Sequence, residues 1–274
     1  MSKHPIGVFD SGYGGLTVLK SLSSVLPEYD YLYLGDNARA PYGTKDFDTV
    51  YRYTWEAVRW LFEAGCPLVI LACNTASAKA LRSIQQKELV EYDTEKRVLG
   101  VIRPTSEVIG SFTETGHVGV MGTPGTIESG SYLLEIAKFF PEMNVKQQAC
   151  PEWVPLVEAN KQATEEADYW VEKYINAIMD QDREIDTLLL ACTHYPLLLE
   201  TIRKFLPKGV KTISQGELVA ASLKDYLDRH EEIRSKLSRG REMAFCTTGD
   251  TVDFNAHATH FYGKSVEATK ISLS

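Results

Sequence analysis

The chain reads as an α/β protein of two similar domains, each built on a mainly parallel sheet flanked by helices. Two observations carry that reading. Short apolar runs alternate along the chain with stretches whose apolar residues recur at the 3.6-residue helical period, and such alternation implies parallel sheets. One strand-to-helix junction also occurs twice. Leu68-Val69-Ile70-Leu71-Ala72-Cys73-Asn74-Thr75 is echoed by Leu188-Leu189-Leu190-Ala191-Cys192-Thr193-His194, each an apolar strand followed by alanine, cysteine and polar donors. With 274 residues the chain is long enough for one large or two small domains with full cores.

Residues 6–9 form the first expected strand, which runs through Asp10-Ser11-Gly12 into a helix at 16–26. A second strand at 31–34 leads into the loop 35–43. Thr44 is the expected cap of a helix carrying Phe47, Val50, Tyr51, Trp55, Val58, Leu61 and Phe62, with Gly65 at its end. The strand 68–72 enters Cys73 and a helix reaching Ile84. The charged, aperiodic stretch 88–97 reads as a linker or crossing loop. Strands follow at 98–102 and 117–121, the latter entering Gly122-Thr123-Pro124-Gly125. A helix at 167–179 carries Val171, Tyr174, Ile175 and Ile178 on one face. The strand 188–191 ends at Cys192, and Pro196 suits the first turn of a helix. Stretches 210–213 and 243–247 are later strands, and the charged run 229–241 is a solvated helix or loop.

The composition, 44% hydrophobic and 24% charged, is that of an ordinary globular protein. A net charge of -8 argues against a nucleic-acid partner, because such a surface repels phosphate. No apolar stretch approaches the roughly 18 residues of a membrane span, and the opening MSKHPIGVFDSGYGG does not read as a secretory peptide. The five cysteines, Cys66, Cys73, Cys150, Cys192 and Cys246, include no CxxC pair. An odd count of this kind suits reduced thiols in the cytoplasm.

In open parallel sheets ligands sit beyond the carboxyl ends of the strands. Cys66, Cys150 and Cys246 read as packing residues, the common fate of a buried thiol. Cys73 and Cys192 differ, since each lies where a helix start would lower a thiol pKa and each is followed at once by polar groups. Two thiols on opposite walls suit either a disulfide switch or proton exchange at a carbon, in which one thiolate removes a proton from one face and a thiol returns one to the other. Asp10-Ser11-Gly12-Tyr13-Gly14-Gly15 is a strand-to-helix turn that can cradle an anion, with Ser11 as a donor and Asp10 as a cap or acid. His194 is placed to help Cys192 as a base. Asp250, Asp253, His257, His260 and Cys246 fall in one short stretch. They are read as a strand end and helix cap rather than a metal site.

The ordered set Asp10-Ser11-Gly12-x-Gly14-Gly15, Gly35-Asp36, Pro41-Tyr42-Gly43, Ala72-Cys73-Asn74-Thr75-Ala76, Gly100-Val101-Ile102-x-Pro104, Gly122-Thr123, Cys192-Thr193-His194-Tyr195-Pro196 and Thr247-Thr248-Gly249-Asp250 resembles the bacterial glutamate racemases of the aspartate/glutamate racemase superfamily. The resemblance runs nearly end to end. It implies an isomerase that interconverts L- and D-glutamate without cofactor or metal, in the cytoplasm, as a homodimer, supplying D-glutamate for peptidoglycan and so for cell-wall biogenesis and cell shape. It places the site in the cleft between two domains, 1–97 plus 208–274 and 98–207. By matching motifs, Cys73 and Cys192 are the acid/base pair, Cys73 serving D-glutamate and Cys192 serving L-glutamate. Asp10 assists Cys73 and His194 assists Cys192. The Val154-Pro155-Leu156-Val157-Glu158 stretch points to Glu158 as a further acidic group, with Glu152 close by. Asp10, Ser11, Tyr42, Gly43, Asn74, Thr75, Thr123, Thr193 and His194 are the expected substrate contacts, and Arg39 stands near the Tyr42 loop. The other readings are a racemase of another amino acid such as aspartate, a non-catalytic amino-acid-binding regulator, and a thiol redox protein.

Overall fold

The computed structural model describes residues 4–273; the first three residues of the opening stretch lie outside it. Two parallel sheets form the frame. The first has six strands in the order β10-β9-β2-β1-β3-β4: β1 Ile6–Asp10, β2 Tyr31–Gly35, β3 Leu68–Leu71, β4 Arg97–Gly100, β9 Met243–Thr247 and β10 Ala268–Lys270. The second has four in the order β6-β5-β7-β8: β5 His117–Gly122, β6 Asn144–Ala149, β7 Thr187–Ala191 and β8 Lys211–Ser214. The central strands β1, β2, β3 and β7 are buried along their whole length, as expected for strands covered on both faces. Their registers bring the chemistry to one level: Asp10 at the end of β1 lies beside Gly35, and Gly122 at the end of β5 lies beside Ala191.

One hydrophobic cluster is shared by both halves. It joins Ile6, Val8 and Tyr33 of the first sheet to Met121, Leu188 and Leu190 of the second, with Leu16, Leu19 and Trp153 among them. The helix Gly15–Val25 contributes Leu16, Val18, Leu19 and Leu22 on its inner face, and the helix Gln215–Arg229 packs against it. Among the described residues no helix is long and apolar enough to cross a membrane.

The expected domain breaks each miss by one strand. β4 pairs in register with β3, Leu68 opposite Arg97, and so belongs to the first sheet; the expected strand 98–102 ends at Gly100, and Ile102 already opens a helix, Ile102–Val108. β8 pairs with β7, Thr187 opposite Lys211, and belongs to the second sheet. The chain therefore crosses between sheets at Val101 and again beyond Ser214, not at Arg97 and Pro207. The charged stretch before β4 misled at the first place, and the bounds implied by the resemblance at the second; β4 and β8 are sheet edges, where charged Arg97 and Lys211 are tolerated.

Other departures have similar causes. The stretch 88–97 is not a linker, since a π-turn at Ile84–Glu88 continues into the helix Leu89–Tyr92. Leu89 is buried, and Tyr92 stacks on Phe62 with ring centroids 5.8 Å apart. Asp46 rather than Thr44 caps the helix Phe47–Glu63, its carboxylate accepting from the Thr49 amide at 2.8 Å. β6 and the short β10 escaped notice because their mixed, polar sequences lack an apolar run.

Asp186 ties the loop entering β5. Its carboxylate accepts from the Thr113 hydroxyl at 2.6 Å and from the Glu114 and Thr115 amides at 2.6 and 3.0 Å. Partial burial pushes its carboxyl up, but these donors outweigh that and hold it at about 2. A depressed carboxyl contributes stability above its unfolded pKa and loses it as pH falls through the folded value. Asp186→Asn should therefore unfold at lower urea than the parent at neutral pH. The gap should narrow as pH falls from near 3.8 toward about 2. A gap that holds constant over that range would assign the loss to packing instead.

Candidate active site

The carboxyl ends of β1, β3 and β7 meet between the sheets. The turn after β1 is the centre of this meeting. Gly14 lies so close to the turn after β7 that a Cβ there would stand 2.2 Å from Thr193 Oγ1 and 2.5 Å from His194 Nδ1. A Cβ on Gly15 would strike Asp10 at 2.5 Å. Only glycine permits this approach. Thr17 fastens it by donating to Thr193 O at 3.1 Å, and Tyr33 donates to Gly12 O at 2.8 Å.

Cys73 caps the short helix Asn74–Lys79, with its sulfur accepting from the Ala76 amide at 3.5 Å. It stands 3.5 Å from Ser11 Oγ. The expected lowering by the helix start is reversed. Burial, then the nearby Asp10 carboxylate, push the Cys73 thiol up to about 12, against the smaller opposing effects of the Ala76 and Ser11 hydrogen bonds. Cys192 adds to the same rise, so the two sulfurs share one electrostatic neighbourhood. Both cysteines are 6% exposed, and all five cysteines are free thiols.

Cys192 has different company. His194 Nδ1 lies 3.9 Å from its sulfur, and His194 Nε2 lies 3.0 Å from Glu158 Oε1. Burial opposes charge on this imidazole, but the hydrogen bonds to Cys192 and Glu158 prevail and push it up to about 10. The buried His194 imidazole is thus biased toward its charged form, and it is braced edge-on by Phe261 at 5.2 Å. Asp10 completes the set. Oδ2 accepts from the Gly12 amide at 2.9 Å, while Oδ1 is buried without a well-formed hydrogen bond. Burial raises the Asp10 carboxyl, and His194 opposes that rise.

Glu158, not Glu152, reaches the site. It closes the helix Trp153–Glu158, whereas Glu152 accepts from the Tyr174 hydroxyl outside it. Across the cleft Thr75 and Thr123 meet hydroxyl to hydroxyl at 3.0 Å, and Thr126 lies 3.0 Å beyond Thr123. Gly43 closes the gap from the side. Its carbonyl accepts from the Gly125 amide at 2.9 Å, and a Cβ there would fall 2.9 Å from Thr123.

Two expected contacts are otherwise engaged. The Tyr42 hydroxyl is buried and donated to Asp36, so it shapes the loop that presents Gly43. The Asn74 amide joins a buried cluster with Tyr132 and Gln215, donating one of its two hydrogens to Gln215. Arg39 is held by Asp36 and Glu56 and lies 4.0 Å over the Tyr53 ring. His257 stacks on Tyr13 at 4.9 Å, and His260 bonds Gln162 at 2.7 Å. Among the described residues no group of His, Cys, Asp and Glu is arranged to hold a metal ion. Sequence reading had no signal for Gln215, which lies in a polar stretch, or for Phe261.

Known proteins resemble this chain along nearly its whole length. The Asp/Glu/Hydantoin racemase family matches residues 7–223. A glutamate racemase of Roseobacter denitrificans is 40% identical over 272 residues, covering 96% of this chain and 98% of that protein. The crystal structure of a glutamate racemase isoform from Bacillus anthracis superposes with a TM-score of 0.89 at 33% identity, covering 100% of this chain and 99% of that one. The Francisella tularensis glutamate racemase, solved in complex with D-glutamate, superposes with a TM-score of 0.88 at 31% identity and the same coverage. With two parallel sheets, a cysteine turn on each and likeness along its whole length, the chain belongs to the Asp/Glu/Hydantoin racemase family, as an isomerase of its glutamate racemase branch.

Proposed function

We propose that this protein racemises glutamate by a two-base mechanism, with Cys73 and Cys192 working on opposite faces of the α-carbon. The observation that carries the reading is the meeting of the two cysteine turns, one from each sheet, at the turn after β1: Ser11 stands 3.5 Å from Cys73, and Gly14 abuts Thr193 and His194 beside Cys192. The D-glutamate in the Francisella tularensis relative supports the choice of substrate.

With L-glutamate bound, the Cys192 thiolate takes the α-proton, leaving the electron pair on the α-carbon. The Cys73 thiol then gives its proton to the opposite face, and D-glutamate leaves. The enzyme is left with a thiol at 192 and a thiolate at 73, which is the state required for the reverse reaction. The surroundings suit these roles. Cys73, dehydrated and beside Asp10, rests as a protonated donor. The His194 cation is a positive partner for Cys192 sulfur while that sulfur carries charge, and Glu158 holds the imidazolium in place. Asp10 Oδ1 offers a buried acceptor for the substrate ammonium. Ser11, Thr75, Thr123 and Thr193 supply neutral hydroxyl donors for the carboxylates, with the backbone of Gly43 at the margin. No cofactor takes part. Such an enzyme supplies D-glutamate to peptidoglycan synthesis in the cytoplasm, and the homodimer is the expected assembly.

The reading is tested by following optical rotation of purified protein with L- and then D-glutamate, without added cofactor. The parent should bring both to the racemate. Cys73→Ala and Cys192→Ala should each lose at least about 10³-fold in turnover, within the range for removing a positioned acid or base. Turnover of aspartate and not glutamate would reassign the substrate; binding of glutamate with no change in rotation would make the protein a binding regulator.

The pH profile is a second check. Glu158→Gln removes one of the acceptors that favour the charged imidazole, so the His194 pKa should fall from about 10. The alkaline limb of kcat should then move toward neutral pH. An unmoved limb would remove Glu158 and His194 from the acid/base machinery.

A further inference from the structure

The Asn74 amide, which follows Cys73 directly, is held by two buried side chains. Its Nδ2 donates to Gln215 Oε1 at 2.6 Å, and its Oδ1 accepts from the Tyr132 hydroxyl at 2.6 Å. Gln215 Nε2 in turn donates to the Tyr132 oxygen at 2.6 Å. The three side chains therefore close a ring of hydrogen bonds. Asn74 is 3%, Gln215 4% and Tyr132 0% exposed, so the ring has no competition from water. In such surroundings each bond polarises the next, and an opened ring leaves buried polar atoms unpaired.

The placement of the ring gives it meaning. Asn74 is the first residue of the helix that Cys73 caps. Tyr132 belongs to the helix Ser131–Phe139, beside the second sheet. Gln215 opens the helix Gln215–Arg229 immediately after β8, at the second crossing between the sheets. Its amide also donates to Val101 O at 3.1 Å, at the first crossing, and to Thr105 Oγ1 at 3.3 Å. Both crossings are thus pinned to each other and to the turn that carries one of the two sulfurs.

We infer that Gln215 and Tyr132 are positioning residues for Cys73, and that their hydrogen-bonded ring with Asn74 fixes the place of that sulfur relative to the second domain. The inference rests on the two-base reading above. Neither residue touches the reacting atoms. An error of about 1 Å in a reacting group costs on the order of 10²-fold in rate, so opening the ring acts on the step in which Cys73 moves a proton.

The test uses the whole chain and two variants, Tyr132→Phe and Gln215→Met, each close in shape to the residue replaced. Both should lower kcat by roughly 10- to 100-fold. The deciding readout is the isotope effect with α-deuterated substrate. With D-glutamate the deuteron is removed by Cys73, and slowing that step should raise the isotope effect above the parent value. With L-glutamate the deuteron is removed by Cys192, no longer the slow step, and the effect should fall toward unity. A purely structural loss lowers the amount of active protein but leaves both isotope effects as in the parent, because they do not depend on enzyme concentration. Unchanged isotope effects in both variants would overturn the positioning role, whatever happened to thermal stability. Absence of racemisation by the parent chain would instead overturn the two-base reading, and the inference with it.

Discussion

The approach of the turn after β1 to the turn after β7 is the constraint on which the site depends. Gly14 meets Thr193 and His194 at distances that exclude any side chain. Because Gly14 has no side chain, Thr193 and His194 of the second half come directly against the backbone of the turn after β1. Gly43 repeats the device against Thr123 on the far side. Asp10, the two cysteines and the threonine hydroxyls are brought together because the glycines keep the walls thin. The groups brought together there are almost all buried, so a charge on one is felt by its neighbours.

Within that shared burial the two thiols are unlike. They lie on similar turns of similar sheets and are equally buried, but Cys73 looks onto a carboxylate and a serine, whereas Cys192 looks onto an imidazole held by a second carboxylate. The helix start beside Cys73 acts in the expected direction, through the Ala76 amide. Its effect is smaller than those of burial and of Asp10. Position on a helix alone is therefore a poor guide to a thiol's protonation when the turn is sealed from solvent.

Much of this was legible in the sequence, for reasons that can be named. The central strands are continuous apolar runs because both faces are covered, and their ends carry the polar motifs because ligands bind there. The strands β4 and β8 were legible as strands but not as members of the correct sheet. A parallel edge strand carries no mark of its partner, and the chain crosses between sheets within a residue or two of each. Asn74 illustrates the limit for the site. As a polar residue after the cysteine it reads as a substrate contact. Its partners, Tyr132 and Gln215, are distant in sequence and carry no motif, so nothing in the local pattern showed the buried ring that it joins. Glu158 and Glu152 were both available by spacing, and only the direction of the short helix between them decides which one meets His194.

The unlike surroundings of the thiols have a consequence for the proposed reaction. Enantiomers have equal free energy in water, so the equilibrium constant is one, and kcat/KM must be the same in both directions however asymmetric the site. Electrostatic differences between Cys73 and Cys192 cannot favour one product. They can only shift the balance between kcat and KM in each direction, by stabilising one resting protonation state over the other. On the proposed mechanism, the arrangement with Cys73 held as a thiol and His194 beside Cys192 is the one that accepts L-glutamate. To accept D-glutamate the enzyme must first move a proton from one sulfur's side to the other's, against the preference set by Asp10 and His194. The cost of that exchange falls outside the chemical step. On that mechanism the asymmetry resides in the free enzyme, and the groups proposed to set it, Asp10, His194 and Glu158, would govern how the enzyme returns to its starting state as much as how it moves the substrate proton.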